Sequence, residues 1–378
     1  MPTARLRFAG FRLSLLALLP LAARASDQFV FFGTHLAGPG KGFYVAHFDP
    51  ETGVLSAPRF DTEAKAPAYF VIHPDGRHLY TCNSGRPGGI SAYAIEPRTG
   101  ALTLINTKPA GGADTSYLSL DRSNRYAMIA NYEGGNIAVF ALAADGGIGA
   151  RTAFIQHTGH GVDPARQKHA FAHSIVTDPT NRFAVVCDLG LDRVFVYRFD
   201  ATTGALTPND PAGVTVKPGS GPRHPVFHPN GRWVYVVTEM GSTVIAFHWD
   251  ALRGTLQEFQ TVSALPADFR GTSVSAEIAV HPNGRFLYAS NRGHNSLASF
   301  AIDPDTGRLT PLAHVSTQGR TPRNFAFDPT GKWIIVTNHD SGNAVVFGVN
   351  PDTGALAAAG APVPVPYPFC ERFLAVSP

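Results

Sequence analysis

The chain is 378 residues long, with 31 Lys and Arg against 28 Asp and Glu and a formal net charge of +3. It has no polybasic run and no charge stripe, which argues against nucleic acid or an anionic membrane as the main partner. The three cysteines, Cys82, Cys187 and Cys370, show no CxxC or Cys/His ligand spacing and permit at most one internal disulfide, so a packed core has to carry stability.

Met1 to Ala25 has the layout of a secretory signal. Arg5, Arg7 and Arg12 form a basic n-region, Leu13 to Ala22 an apolar run, and Ala23-Arg24-Ala25 a small-x-small cleavage site. The run is too short to span a bilayer. The expectation is a periplasmic or secreted monomer that begins at Ser26, forms one domain over residues 26–378, and has no membrane span. Removing the signal takes away four arginines and no acid, and moves the formal charge from +3 to about −1.

After the signal, one unit repeats. Its first turn appears as His73-Pro74-Asp75-Gly76-Arg77, then at Asp121–Arg125, Asp178–Arg182, His228–Arg232, His281–Arg285 and Asp328–Lys332, about 47 to 57 residues apart. Proline presets φ, and Asn-Gly or Asp-Gly supplies positive φ at little cost. A second turn, usually Asp-Pro-x-Thr-Gly-x-Leu, recurs at Gly53, Gly100, Gly147, Gly204, Gly254, Gly307 and Gly354. Between the turns, residues alternate apolar and polar, and helical periodicity is absent. In the second unit the predicted strands are Pro67–His73, His78–Ser84, Gly89–Glu96 and Ala101–Lys108. Four short strands per repeat describe a β-propeller blade.

Six copies of the first turn and seven of the second imply closure across the termini. The chain starts on a second strand, Gln28–His35, and ends on a first strand, Arg372–Pro378. The expected fold is all-β: a seven-bladed propeller of four antiparallel strands per blade, its N-terminal blade completed by the C-terminal strand, with no free edge at the seam. The longest irregular stretch, Phe154–Ala172, is a candidate functional loop.

Both repeated turns fall on one rim, so chemistry is expected on the other, where first strands begin and second strands end. Superposing the repeats on the turn proline puts Arg372, His173, Arg223 and Arg323 at one level of the central channel. Glu239 and Arg292 close second strands at the same rim. Glu277 lies one residue past the Arg223 level, able to orient an arginine or exchange a proton. Asn131 belongs to a row of small polar residues suited to blade-to-blade hydrogen bonds, and is also a candidate substrate contact. Two guanidiniums can grip an anionic group, and a His or Glu can move a proton. No nucleophile elbow, P-loop or dinucleotide fingerprint appears, and no ligand cluster calls for a metal or other cofactor.

These motifs together give a resemblance. Ala130–Asn136, His169–Ser174, Asp188–Asp192, Gly219–His224, Ala276-Glu277-Ile278 and Ser290–His294 resemble the lactonase family of seven-bladed propellers, which includes the propeller-type 6-phosphogluconolactonases and the carboxy-cis,cis-muconate cyclases. The resemblance covers about Phe29 to Pro378. It implies a catalytic set of His173, Arg223, Glu239 and Arg292; the rim pattern adds Glu277, Arg323, Arg372 and Asn131 as expected substrate contacts. It also implies a small lactone or anionic sugar-acid substrate. Arg223 and Arg292 would hold the anionic group and polarise the carbonyl; either Glu239 or His173 would activate water. The same residues would serve lactone formation from an unsaturated dicarboxylic acid, and a non-catalytic binding propeller of the cell envelope is the remaining alternative.

Overall fold

The turn that opens each repeat is set by its own residues. In the computed structural model, which describes residues 28–34 and 41–375, Gly231 N–H donates to the His228 carbonyl and His228 N–H to that of Trp233, both at 2.9 Å. The chain passes through positive φ at Gly231 (71°), and in the third and fourth repeats Asn124 (57°) and Asn181 (58°) take that place. Asparagine tolerates this region better than other residues with a side chain. The expected signal at Met1–Ala25, His35 and Val376–Pro378 lie outside the described residues.

The strands of the second repeat are Pro67–Ile72, His78–Asn83, Gly89–Ile95 and Leu102–Pro109, within one or two residues of expectation. Seven antiparallel sheets form, and the first strands of successive sheets pack side by side until the ring closes. At the seam, Pro368–Ala375 pairs with Gln28–Thr34, which pairs with Gly42–Asp49. Phe373 sits opposite Val30 and meets the Phe48 ring edge-on at 5.3 Å. Among the described residues there is no helix, and none long and apolar enough to cross a membrane. Cys82, Cys187 and Cys370 are all buried and free.

Neighbouring blades interlock through the second repeated turn. A Cβ on Gly307 would stand 2.4 Å from the Trp233 indole of the preceding blade, and the same holds for Gly254 against Phe183 and Gly354 against Phe286. Only glycine leaves room for the aromatic residue that opens each second strand. The repeated glycine is therefore needed for packing as well as for its turn.

At the opposite rim each first strand carries a bulge. Register shifts isolate His173 between Ala172 and Ser174, Arg223 between Pro222 and His224, and Arg323 between Pro322 and Asn324. A bulge re-aims one side chain while the strand continues. In the seam blade the bulged residue is Phe369, between Pro368 and Cys370. This corrects the placement of Arg372: it pairs with Phe31, three residues further along, and leaves the rim. Superposition on the final Ser-Pro misaligned this strand because it has no turn of its own.

Candidate functional site

Glu239 follows the strand Trp233–Thr238 and is fixed by its backbone, N–H to the Gly221 carbonyl at 2.7 Å and carbonyl from Ser275 N–H at 3.1 Å. Three guanidiniums converge on its carboxylate. Arg223 Nε donates to Oε2 at 2.9 Å, Arg292 Nη2 lies 2.9 Å from the same oxygen, and Arg166 Nη2 donates to Oε1 at 2.6 Å. Burial alone would push the Glu239 pKa up. The charges of Arg292 and Arg223 overcome that and hold it well below the usual carboxylate range. Such a carboxylate is a weak base and a strong anchor.

His173 Nε2 lies 3.8 Å from Glu239 Oε2, while Nδ1 is sealed from solvent with no partner among the described residues. Tyr132 meets the ring edge-on at 5.3 Å, and His224 at 5.1 Å. Burial first, and the Arg223 charge second, hold the imidazole pKa well below its ordinary value. At neutral pH it is uncharged and able to accept a proton. Of the two histidines in His169–His173, His169 stacks on Phe171 outside the strand, and His173 faces the channel.

Of these groups, Glu239, Arg292, His173 and Tyr132 line a pocket of about 190 Å³ at the channel mouth, together with Arg323, Asp114 and Ser84. Arg323 lies 3.8 Å over the Phe369 ring, and its Nε has no hydrogen-bond partner among the described residues. No carboxylate among them is within ion-pair distance of it. Burial, then the charges of Arg292 and Arg223, lower its pKa to about 9. Arg292 Nε is likewise unpaired, although its Nη2 donates to the Ser275 carbonyl at 2.9 Å. Ser84 donates to the Asp114 carboxylate. Hollows of about 290 and 390 Å³ lie elsewhere, but their charged residues, such as Lys217, Glu258 and Lys41, are all exposed.

The remaining candidates sit below this pocket. Glu277 Oε1 is 2.9 Å from His224 Nδ1, and Asn324 donates to its Oε2. Arg223 Nη1 stands 3.1 and 3.4 Å from the two ring nitrogens of His224, which places it over the ring face. Glu277 therefore supports the imidazole on which Arg223 rests, and opens onto the lower channel beside Tyr69 and Tyr117. Arg372 lies over the Tyr69 ring at 4.7 Å and donates to Asn324 Oδ1 at 2.8 Å. Asn131 is fully buried: Oδ1 accepts from Thr115 at 2.7 Å, and Nδ2 donates to Asn136 Oδ1 at 2.7 Å. Its hydrogen-bonding capacity is spent inside the protein, so it does not line the pocket.

Three residues at the pocket or at Glu239 were not singled out from the sequence. Arg166 comes from the long stretch Phe154–Ala172, whose length and basic residues were the available signal. Tyr132 shares the level of Glu239 and meets the His173 ring edge-on. Asp114 sits between blades at φ 55° and has no signature in the repeat.

A family model described as "Lactonase, 7-bladed beta-propeller" matches residues 29–373. A 6-phosphogluconolactonase of Bacillus subtilis is 35% identical over 345 residues, covering 91% of this chain and 97% of the relative. One of Formosa agariphila is 33% identical over 300 residues, 77% of this chain and 83% of the relative. Among solved structures, a periplasmic gluconolactonase of Pseudomonas aeruginosa superposes with a TM-score of 0.88 at 33% identity, covering 93% of this chain and 100% of that one. With its seven closed blades and a match over nearly every described residue, the chain belongs to the lactonase family of seven-bladed β-propellers.

Proposed function

We propose that the protein is a lactone hydrolase of the 6-phosphogluconolactonase type, opening a sugar-acid lactone by attack of water at the Glu239 rim. The observation that carries this reading is one small pocket lined by His173, Glu239, Arg292 and Arg323, with His173 Nε2 and Arg292 Nη2 3.8 and 2.9 Å from the same Glu239 oxygen. In this mechanism His173 takes a proton from water as its oxygen attacks the lactone carbonyl. The oxyanion forms against Arg292, where a fixed charge acts with little solvent screening. The C–O ring bond then breaks, and the imidazolium returns its proton to the departing alkoxide. Glu239 stays ionised and fixes Arg223, Arg292 and Arg166 in place. Arg323, lacking a carboxylate partner among the described residues, receives the anionic group of a sugar-acid substrate.

The base assignment favours His173 over Glu239, because both carboxylate oxygens are already engaged by guanidiniums, whereas His173 Nε2 comes no closer than 3.8 Å to Glu239. The reading extends to location: the layout of Met1–Ala25 and the likeness to a periplasmic gluconolactonase support action outside the cytoplasm. N-terminal sequencing from the native host is expected to begin at Ser26, and an intact Met1 on cytoplasmic protein contradicts it. The activity itself is tested by pH-stat titration of tag-free protein against phosphorylated and unphosphorylated aldonolactones. Acid release above the spontaneous rate supports hydrolysis; lactone formation from an unsaturated dicarboxylic acid instead would transfer the site to the cyclase reaction.

A further inference from the structure

On the rim opposite the pocket, one turn differs from its counterparts. The turns at His228 and His281 share a design. The imidazole Nδ1 accepts the N–H of Asn230 (3.2 Å) or Asn283 (3.1 Å), and Nε2 donates to the next blade, at Gly284 O (2.8 Å) or Gly331 O (2.9 Å). The Asn then caps the following Arg N–H, and an aromatic residue, Trp233 or Phe286, opens the second strand. In the second blade the histidine keeps its role. His73 Nδ1 accepts Asp75 N–H at 3.2 Å, and Nε2 reaches Asn124 O at 3.3 Å. The Asn, however, is now Asp75, and the aromatic residue is His78.

That pair of changes reverses the local polarity. Asn283 spends its amide proton on Pro351 O at 3.2 Å. Asp75 has no such proton, and its Oδ2 lies 3.0 Å from His73 Nδ1 and 2.7 Å from His78 Nδ1. Since His73 Nδ1 already accepts an N–H, its lone pair shares this space with a carboxylate. An ion placed between them would take the Nδ1 lone pair in place of the Asp75 N–H. The three ligand atoms all lie within 4.8 Å of one another.

We propose that His73, Asp75 and His78 bind a divalent transition-metal ion of the zinc or nickel class, through Nδ1, Oδ2 and Nδ1. Two imidazoles and a carboxylate suit these ions. A tetrahedral ion ~2.1 Å from each ligand holds them roughly 3.4 Å apart, so Asp75 Oδ2, now 3.0 and 2.7 Å from the two imidazole nitrogens, has to draw back from both. The support for such a site is already built. The other nitrogen of His73 bonds a backbone carbonyl, which fixes the ring as metal-bound histidines require. His78 is backed by Gly146, where a Cβ would stand 2.1 Å from the ring. The group is half-exposed, leaving the fourth position to water. It lies on the opposite rim from His173 and in another blade, so the ion would pin the hairpin turn and take no part at the pocket.

The test is calorimetric titration of zinc or nickel chloride into chelator-stripped, tag-free protein, with melting followed in parallel. One equivalent should bind and raise the melting temperature. Asp75→Asn and His78→Phe, which restore the residue types of the other two turns, should each weaken binding at least tenfold while melting like the metal-free wild type. If one variant fails to fold, the other decides. Absence of saturable binding of either ion overturns the proposal. So does equal affinity in both variants, or a wild type in which only protons, and no metal, change the His78 environment.

Discussion

Arg223 and Glu239 join the two ends of one hairpin: Nε of the first donates to Oε2 of the second at 2.9 Å, across a rim where both are almost fully buried. Arg223→Lys keeps the charge but loses the planar fork that reaches Glu239 and the Ala276 carbonyl (2.6 Å) together. Its kcat/KM is expected to fall on the order of 10²-fold, comparable to losing one preorganised donor. Glu239→Gln leaves three guanidiniums without their carboxylate, and breaking such a buried pair costs roughly 3–5 kcal/mol. A lowered melting temperature is therefore expected for that variant, and its activity has to be read well below the melt.

The pH dependence separates the two possible bases. The His173 pKa is held below its ordinary value of about 6.5. The acid limb of kcat/KM is expected below that pH, with the rate intact at pH 6.5. The Glu239 charge is one influence that raises the His173 pKa, so Glu239→Gln should move the limb lower. Loss of the limb in Glu239→Gln would instead assign the base to Glu239. In stability, Glu239 contributes above its unfolded value of about 4.3, and that contribution is lost as pH falls through its lower folded value.

Glu371 predicts the opposite trend. It is fully buried between blades, accepting from Thr337 at 2.6 Å with Oε1 unpaired among the described residues, and burial raises its pKa to about 8. A raised folded pKa gives stability that is present below the unfolded value and lost as pH rises through the folded one. Melting is expected to decline between about pH 4.3 and pH 8, by up to ~1.4 kcal/mol per pH unit from this group. Glu371→Gln should flatten the decline; an unchanged slope would contradict it.

Seam closure makes its own prediction. Deleting Arg372 to Pro378 removes Phe373 and Leu374 and the ladder to Gln28–Phe31. Complete burial is worth ~1.5–3 kcal/mol per large apolar side chain, and these two are half-buried. With the lost pairing, the deletion is expected to remove several kcal/mol of a typical net ~5–15. Chemical denaturation of the truncated protein checks this, and a midpoint equal to wild type would refute the closure.

Much of this was legible because the turns carry their own chemistry. His228–Arg232 and its relatives give the period, and the unequal turn counts give the seam. The rim residues His173, Arg223, Glu239 and Arg292 followed from hairpin geometry, in which strand ends meet opposite the turn. Bulges were not legible, since a register shift leaves no mark on alternation, and Arg372 was misplaced for that reason. Arg166 reaches Glu239, and Asp114 the pocket, from connections outside the repeat, so superposing repeats could not find them. Asn131 carries the residue type of a ligand contact, but its partners Thr115 and Asn136 are fixed by strand pairing and become visible only in three dimensions.

The most direct test of the account is the rate of acid release from an aldonolactone by His173→Asn, beside wild type and Arg77→Gln, an exposed residue on the opposite rim. If His173 is the base at this pocket, His173→Asn loses on the order of 10²–10⁴ in rate while Arg77→Gln matches wild type. Full lactonase activity in His173→Asn, or no acid release from any lactone by the wild-type protein, would contradict the account.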